Sequence, residues 1–213
     1  MSDQLLRTEI IATAVRMNER RINSGTSGNV SARTESGFLV TPSGLAYESL
    51  RPEDIVDMTL AGVASGARQP SSEWRFHRDI YADRPDTNAI VHAHSPFATS
   101  LACLGRGIPA FHYMIAVAGG KDIRCAPYAT FGTQKLSDNA LVALTGRRAC
   151  LLANHGMIAV GASLGAALAL AIEVETLAEQ YWRALQIGAP NLLSNAEMNV
   201  VLEKFQSYGQ IGK

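Results

Sequence analysis

Ala89-Ile90-Val91-His92-Ala93-His94-Ser95 runs from three apolar residues straight into a histidine pair. The apolar lead-in reads as a buried β-strand, and strand side chains alternate faces. His92 and His94 therefore fall on one side, spaced to share one metal ion. The pair fits one core and one surface histidine as well. The metal reading needs a third ligand, a base and a substrate pocket from elsewhere in the chain.

Composition narrows the classes. The chain has 213 residues, no net formal charge and 47% hydrophobic residues, which describes an ordinary globule with ample core. No basic stretch suggests nucleic acid, and that class is set aside. Cys103, Cys125 and Cys150 are widely separated and odd in number, and they read as small buried hydrophobes in a reducing cytoplasm. Met1-Ser2-Asp3-Gln4 does not open like a signal peptide, and the apolar run from Ala166 to Ile172 is too short to span a bilayer. No repeat, linker or low-complexity segment interrupts the chain, so one domain over 1–213 is expected.

Upstream of the pair, Leu6, Ile10, Ala14 and Met17 recur at helical spacing. Gly25-Thr26-Ser27-Gly28-Asn29-Val30-Ser31 follows. Such a turn can present backbone N–H groups to a phosphate, or can simply lead tightly into a strand. Phe38 to Thr41 reads as a partner strand running into Thr41-Pro42-Ser43-Gly44, a second hydroxyl- and glycine-rich turn. Ser71-Ser72-Glu73 then opens a helix, with Ser71 as its cap and Trp74, His77 and Tyr81 on one face. Glu73 is either a carboxylate favoured by the helix dipole or a metal ligand beside an anion site. His77 is a competing ligand that we place in the packing.

Downstream, Ser95-Pro96 starts a short helix and Ile123 to Tyr128 reads as a strand. Leu136 to Thr145 reads as a helix. The strand Ala149 to Ala153 is interrupted by Asn154-His155-Gly156 before Met157 to Val160 resumes. His155, at an apex between two apolar strands, supplies the third imidazole. A long helix from about Ser163 to Ile187 carries Glu173, Glu175 and Glu179, read as a solvated or interface face. Ser194-Asn195-Ala196-Glu197 is a capping box for the last helix.

Three imidazoles with one carboxylate and no thiolate suit zinc first, with manganese, cobalt or iron as alternatives. Beside two Gly/Ser turns, such an ion would polarise the carbonyl of a phosphorylated small molecule and stabilise an enediolate. Glu73 could then remove the neighbouring proton.

Seven segments in order carry a family resemblance: Gly25–Ser31, Thr41–Gly44, Ser71–Glu73, His92–His94, Tyr113, Cys125–Thr133 and Asn154–Gly156. Together they make the chain resemble the class II aldolase and epimerase superfamily, most closely its branch that cleaves L-fuculose 1-phosphate. The resemblance implies a three-layer α/β/α sandwich around a mostly antiparallel sheet. It implies one zinc per subunit on His92, His94 and His155, with Glu73 as a fourth ligand that dihydroxyacetone phosphate displaces. Glu73 would then exchange the proton at the donor carbon. Thr26 would position the donor, and Gly28, Asn29, Ser43, Gly44, Ser71 and Ser72 would hold its phosphate. Tyr113 from a neighbouring subunit of a homotetramer would handle the aldehyde oxygen's proton, while Phe131, Phe205 and Tyr208 shape the aldehyde side.

Relatives within the superfamily give the alternatives: 5-deoxyribulose or methylthioribulose 1-phosphate aldolases, ribulose-phosphate 4-epimerases, and decarboxylases or dehydratases of sugar-acid phosphates. Glu73 stands where the epimerases have aspartate, and with the short tail it favours the aldolases. Asp122 is the acidic residue that could serve an epimerase. A silent assembly domain of the adducin kind shares the resemblance but lacks the ligands.

Overall fold

The computed structural model describes residues 3–206. Its centre is one sheet of eight strands in the order β4-β3-β2-β1-β5-β8-β7-β6. The strands are β1 (Asn29–Arg33), β2 (Gly37–Val40), β3 (Val56–Thr59), β4 (Ala64–Ser65), β5 (Ala89–Ala93), β6 (Arg124–Ala126), β7 (Ala149–Leu152) and β8 (Gly156–Gly161). All neighbours are antiparallel except β6 and β7, which are parallel. The helices are α1 (Asp3–Glu19), α2 (Trp74–Asp83), α3 (Pro96–Cys103), α4 (Gln134–Leu144), α5 (Leu164–Ile187) and α6 (Asn195–Gln206).

Alternation along β5 shows why the sheet is covered on both faces. Ala89, Val91 and Ala93 join the core formed with α1, α3 and α5, while Ile90 joins the core formed with α2 and α4. Both faces being apolar, the sheet is buried between two helical layers, giving the α/β/α architecture that the family resemblance implied. His92 is on the Ile90 side and fully buried beneath α2.

The strand register places the chemistry. Asn29 of β1 lies opposite His92, and Ile158 of β8 flanks it on the other side. Two glycines let neighbouring chain close on the end of β5. A Cβ on Gly28 would lie 2.6 Å from the His92 carbonyl oxygen, and one on Gly156 would lie 2.5 Å from that of Ala93 and 2.8 Å from the His94 ring. Neither gap admits a side chain.

Several expectations change. Helix α2 begins at Trp74, one residue after Glu73 rather than at the serines, and Ser71 Oγ accepts from the Glu73 N–H at 3.3 Å. The Glu73 side chain makes no capping bond to the helix, because it is drawn elsewhere. Cys150 is buried, but Cys125 is half-buried and Cys103 exposed, so the thiols do not all behave as core. Glu175 is no solvated carboxylate either. It reaches across from α5 and accepts from the Phe97 and Ala98 N–H groups, each at 2.8 Å, capping α3 from outside. Glu179 does lie on the exposed face, paired with Arg183 one turn on at 2.5 Å. No helix among the described residues is long and apolar enough to cross a membrane.

Glu175→Ala leaves two helix-start N–H groups without their acceptor. It should cost about 1–3 kcal/mol of stability in urea unfolding, with Glu175→Gln costing less because one oxygen remains.

Candidate metal centre

Four side chains from three parts of the chain converge. His92 is contributed by β5 and His94 by the residue after its end. His155 comes from the turn between β7 and β8, and Glu73 from the start of α2. One ligand atom from each lies within 4.8 Å of the others. The three imidazole rings are equidistant, with centroids 4.9 Å apart and planes 73–77° from one another. His92 Nε2 is 3.0 Å from His94 Nε2 and 3.0 Å from Glu73 Oε2, and His155 Nε2 is 3.1 Å from Glu73 Oε1.

The donor set fits a cation. His92 Nδ1 donates to the Met157 carbonyl at 2.9 Å, which fixes that tautomer and leaves the Nε2 lone pair aimed into the cluster. Glu73 Oε1 is buried, and its approach to His155 lacks hydrogen-bond geometry, so it has no donor of its own. A carboxylate oxygen and imidazole lone pairs facing one point call for a positive centre.

Electrostatics agree. Burial alone would raise Glu73, but the His92 and His155 contacts outweigh it and hold the carboxyl well below its ordinary range. His94 is pushed down to about 3 by burial and by the neighbouring imidazoles, so it is a neutral ligand at any ordinary pH. For His92, burial opposes protonation, yet Glu73 and the Met157 carbonyl prevail and raise it. At His92 a proton therefore competes with a metal.

Glu73, His94 and His155 form the floor of a cleft of about 260 Å³, with His92 buried beneath, and Ser27, Ser72, Tyr128, Phe131 and Asn154 also line it. Tyr128 and Phe131 stand 61% and 64% exposed at its mouth. Their loop is pinned behind them by Arg75 Nη1, which donates to the Gly132 carbonyl at 2.7 Å.

The two Gly/Ser turns are brought to the same end of the sheet. Ser71 N–H donates to Thr41 O at 3.0 Å and Ser43 N–H to Gln69 O at 3.1 Å, tying the second turn to the start of α2. Asn23 Oδ1 accepts from the His94 N–H at 3.2 Å, tying the segment that leads into the first turn to the histidine cluster. Thr26, Ser43, Gly44 and Ser72 are exposed, whereas Gly28 and Ser71 are buried. The Asn29 side chain is not turned toward solvent. It is 2% exposed, and its Nδ2 donates to Glu73 Oε2 at 3.0 Å.

Tyr113, Phe205 and Asp122 do not line this cleft. Tyr113 is 51% exposed and stacks on Phe205 with centroids 6.4 Å apart, lining a separate cavity with Met114, Val201 and Lys204. Tyr208 falls outside the described residues. Asp122 pairs with Arg147 at 2.7 Å and does not line the cleft.

Residues 8–182 match the profile of the Class II Aldolase and Adducin N-terminal domain family. The chain belongs to the class II aldolase family. It is 59% identical, over 96% of its length and 92% of the relative's, to the 5-methylthioribulose-1-phosphate/5-deoxyribulose-1-phosphate aldolase of Rhodospirillum rubrum. It is 49% identical to the L-fuculose phosphate aldolase of Escherichia coli K12, over 98% of each chain. A solved structure of L-fuculose 1-phosphate aldolase superposes with a TM-score of 0.93 at 43% identity, covering 97% of this chain and 98% of that one. The family is of lyase type and metal-dependent, and the Glu73 and histidine cluster is the metal-site group this class II aldolase presents.

The sequence pattern missed the partner of Asn29. Its signal was present, since Asn29 and Ser31 sit two apart on a strand and His77 and Tyr81 four apart on a helix.

Cobalt titration of the metal-stripped protein, followed in the visible spectrum, should show one ion per chain. Affinity should fall as pH is lowered, because a proton on His92 must leave before the ion binds. His92→Ala should abolish tight binding.

Proposed function

We propose that this chain reversibly cleaves a 1-phosphorylated ketose to dihydroxyacetone phosphate and an aldehyde, acting as one catalytic domain over residues 1–213. The observation that carries the reading is Glu73, a carboxylate 4% exposed, held among three imidazoles at the floor of an open cleft. Zn²⁺, one per subunit, suits this donor set first, with Mn²⁺, Co²⁺ or Fe²⁺ as alternatives. When bound there, the ion supplies a Lewis acid that polarises the donor carbonyl.

The chain's own residues move the protons. Glu73 in contact with His92 and His155 is a poor base. Once an incoming donor parts it from them, burial remains and raises its basicity. In cleavage, the hydroxyl proton of the aldehyde half passes to Tyr113 and the C–C bond breaks. Its electron pair stays with the donor half, and Glu73 delivers a proton to that carbon. In synthesis Glu73 takes the proton back and Tyr113 returns the other to the aldehyde oxygen.

We assign the donor phosphate to Gly28, Ser43, Gly44, Ser71 and Ser72, with Thr26 positioning the donor. Asn29 is moved from that set to Glu73, which its side chain touches. Tyr113 and Phe205 are placed in a neighbouring subunit's cleft, since both face away from their own. We assign a homotetramer with shared sites, as the family resemblance implies, and keep Tyr208 on the aldehyde side with Phe131. Three cysteines without disulfides fit a reducing compartment, and we assign the cytoplasm.

For the aldehyde, we rank 5-deoxyribulose and 5-methylthioribulose 1-phosphates ahead of L-fuculose 1-phosphate, the reverse of the order the motifs suggested. The greater identity to the Rhodospirillum rubrum enzyme supports this order. So do the exposed Tyr128 and Phe131 rings, which favour a methyl or thioether end over a hydroxylated one. Asp122, committed to Arg147, gives an epimerase little to work with.

Purified protein given these three sugar phosphates, with and without chelator, should release dihydroxyacetone phosphate fastest from a 5-substituted ribulose 1-phosphate and only with metal. Glu73→Gln should retain metal and lose about 100-fold or more of donor-carbon proton exchange. Full turnover by that variant would end the reading. Mixing Glu73→Gln with Tyr113→Phe subunits should restore activity that neither has alone, because some mixed sites regain both groups.

A further inference from the structure

Behind Glu73, on the side away from the cleft, lies a line of buried polar groups that the proposed reaction does not use. Asn29 Nδ2 donates to Glu73 Oε2 at 3.0 Å. Asn29 Oδ1 is 2.5 Å from His77 Nε2. His77 Nδ1 is 2.7 Å from Ser31 Oγ, and Ser31 Oγ is 2.7 Å from the Tyr81 hydroxyl. Asn29, Ser31, His77 and Tyr81 are each no more than 2% exposed. The line arises where the two-residue repeat of β1 meets the four-residue repeat of α2.

One fact sets the direction of every bond in it. Glu73 as a carboxylate only accepts, so Asn29 must present its NH₂ group to Glu73 and its oxygen to His77. His77 must then carry its proton on Nε2, leaving Nδ1 to accept from Ser31. Ser31 has spent its one proton and must accept from Tyr81. Both end groups suit these roles. Burial pushes His77 down to about 3, keeping the imidazole neutral, and pushes Tyr81 well above the usual phenol range, keeping its hydroxyl protonated.

A purely structural role explains this line poorly. The His77 ring stacks between Phe76, at 4.7 Å, and Phe38, at 6.5 Å. An apolar ring would fill that slot without any buried polar atom to satisfy.

Resting on the aldolase reading above, we propose that His77 is a positioning residue for Glu73, acting through Asn29. By locking the Asn29 amide, it holds Oε2 of Glu73 and leaves Oε1, which has no hydrogen-bond donor, as the oxygen that exchanges a proton with the donor carbon. In synthesis the C–H proton passes to Oε1 and its electron pair stays on the donor. In cleavage the same oxygen gives the proton back.

Two readouts test this on the full-length, zinc-loaded protein. Imidazole ¹⁵N NMR should find His77 neutral, with its proton on Nε2. A proton on Nδ1 would mean that Asn29 points the other way and would overturn the assignment. Exchange of the dihydroxyacetone phosphate donor proton is then followed without aldehyde. His77→Phe should keep one zinc per chain and leave the KM for dihydroxyacetone phosphate within about twofold. Its exchange rate should fall about 10- to 100-fold, as is typical when a supporting hydrogen bond is lost. His77→Gln, which can still donate to Asn29, should recover most of that rate. Exchange unchanged in His77→Phe would overturn the proposal. If that variant does not fold, Ser31→Ala removes the donor to Nδ1 within the same core, and an unchanged tautomer and rate there would overturn it equally. A wild type that fails to exchange at all would instead sink the aldolase reading, and the His77 tautomer would decide the positioning assignment alone.

Discussion

The register of β1, β5 and β8 is the constraint on which the rest depends. Antiparallel pairing sets Asn29 and Ile158 on either side of His92, so the imidazole has one direction left, toward the start of α2. Glu73 arrives there from the helix and His155 from the turn into β8. A slip of one residue along β5 would send His92 into the opposite core, among α1, α3 and α5, and leave Val91 or Ala93 facing Glu73. The glycines at 28 and 156 guard against such movement by letting backbone close directly on the β5 carbonyls.

Burial gives this arrangement its chemical character. Four ligand groups, two of them buried and two half-buried, repel and attract one another where the surrounding protein softens the interaction less than bulk water would. The Met157 carbonyl orients one imidazole, and Asn29 orients the carboxylate. Both His92 and Glu73 are thus held by a neutral backbone or amide partner, which constrains direction without adding another charge to the cluster.

Much of this was legible from residue order. The alternation through Ala89–His94 told which histidines face together, and helical spacing found α1, α2, α4 and α5 to within a few residues. What escaped were choices made by tertiary contact. Glu175 sits among solvated carboxylates in sequence, yet it meets the bare N–H groups of α3, a partner 77 residues away. Asn29 belongs to a polar turn by composition, but the strand starts at it and turns it inward. Cys103, at the end of α3, is apolar by habit and exposed by position. The two-residue β4 carries too little pattern to be seen, and the parallel pairing of β6 with β7 depends on how the chain crosses over rather than on its residues.

Tyr128 and Phe131 have a consequence for how such an enzyme can diversify. They project from a loop anchored at Gly132 and contribute little to either core. Replacing them would alter the mouth of the cleft while leaving the ligand floor and its strand register untouched. Stability and chemistry would be conserved while selectivity drifts, because the two are carried by different layers of the molecule. A scaffold divided in this way lets the mouth of the cleft change by small steps, each of them still folded around an intact ligand floor.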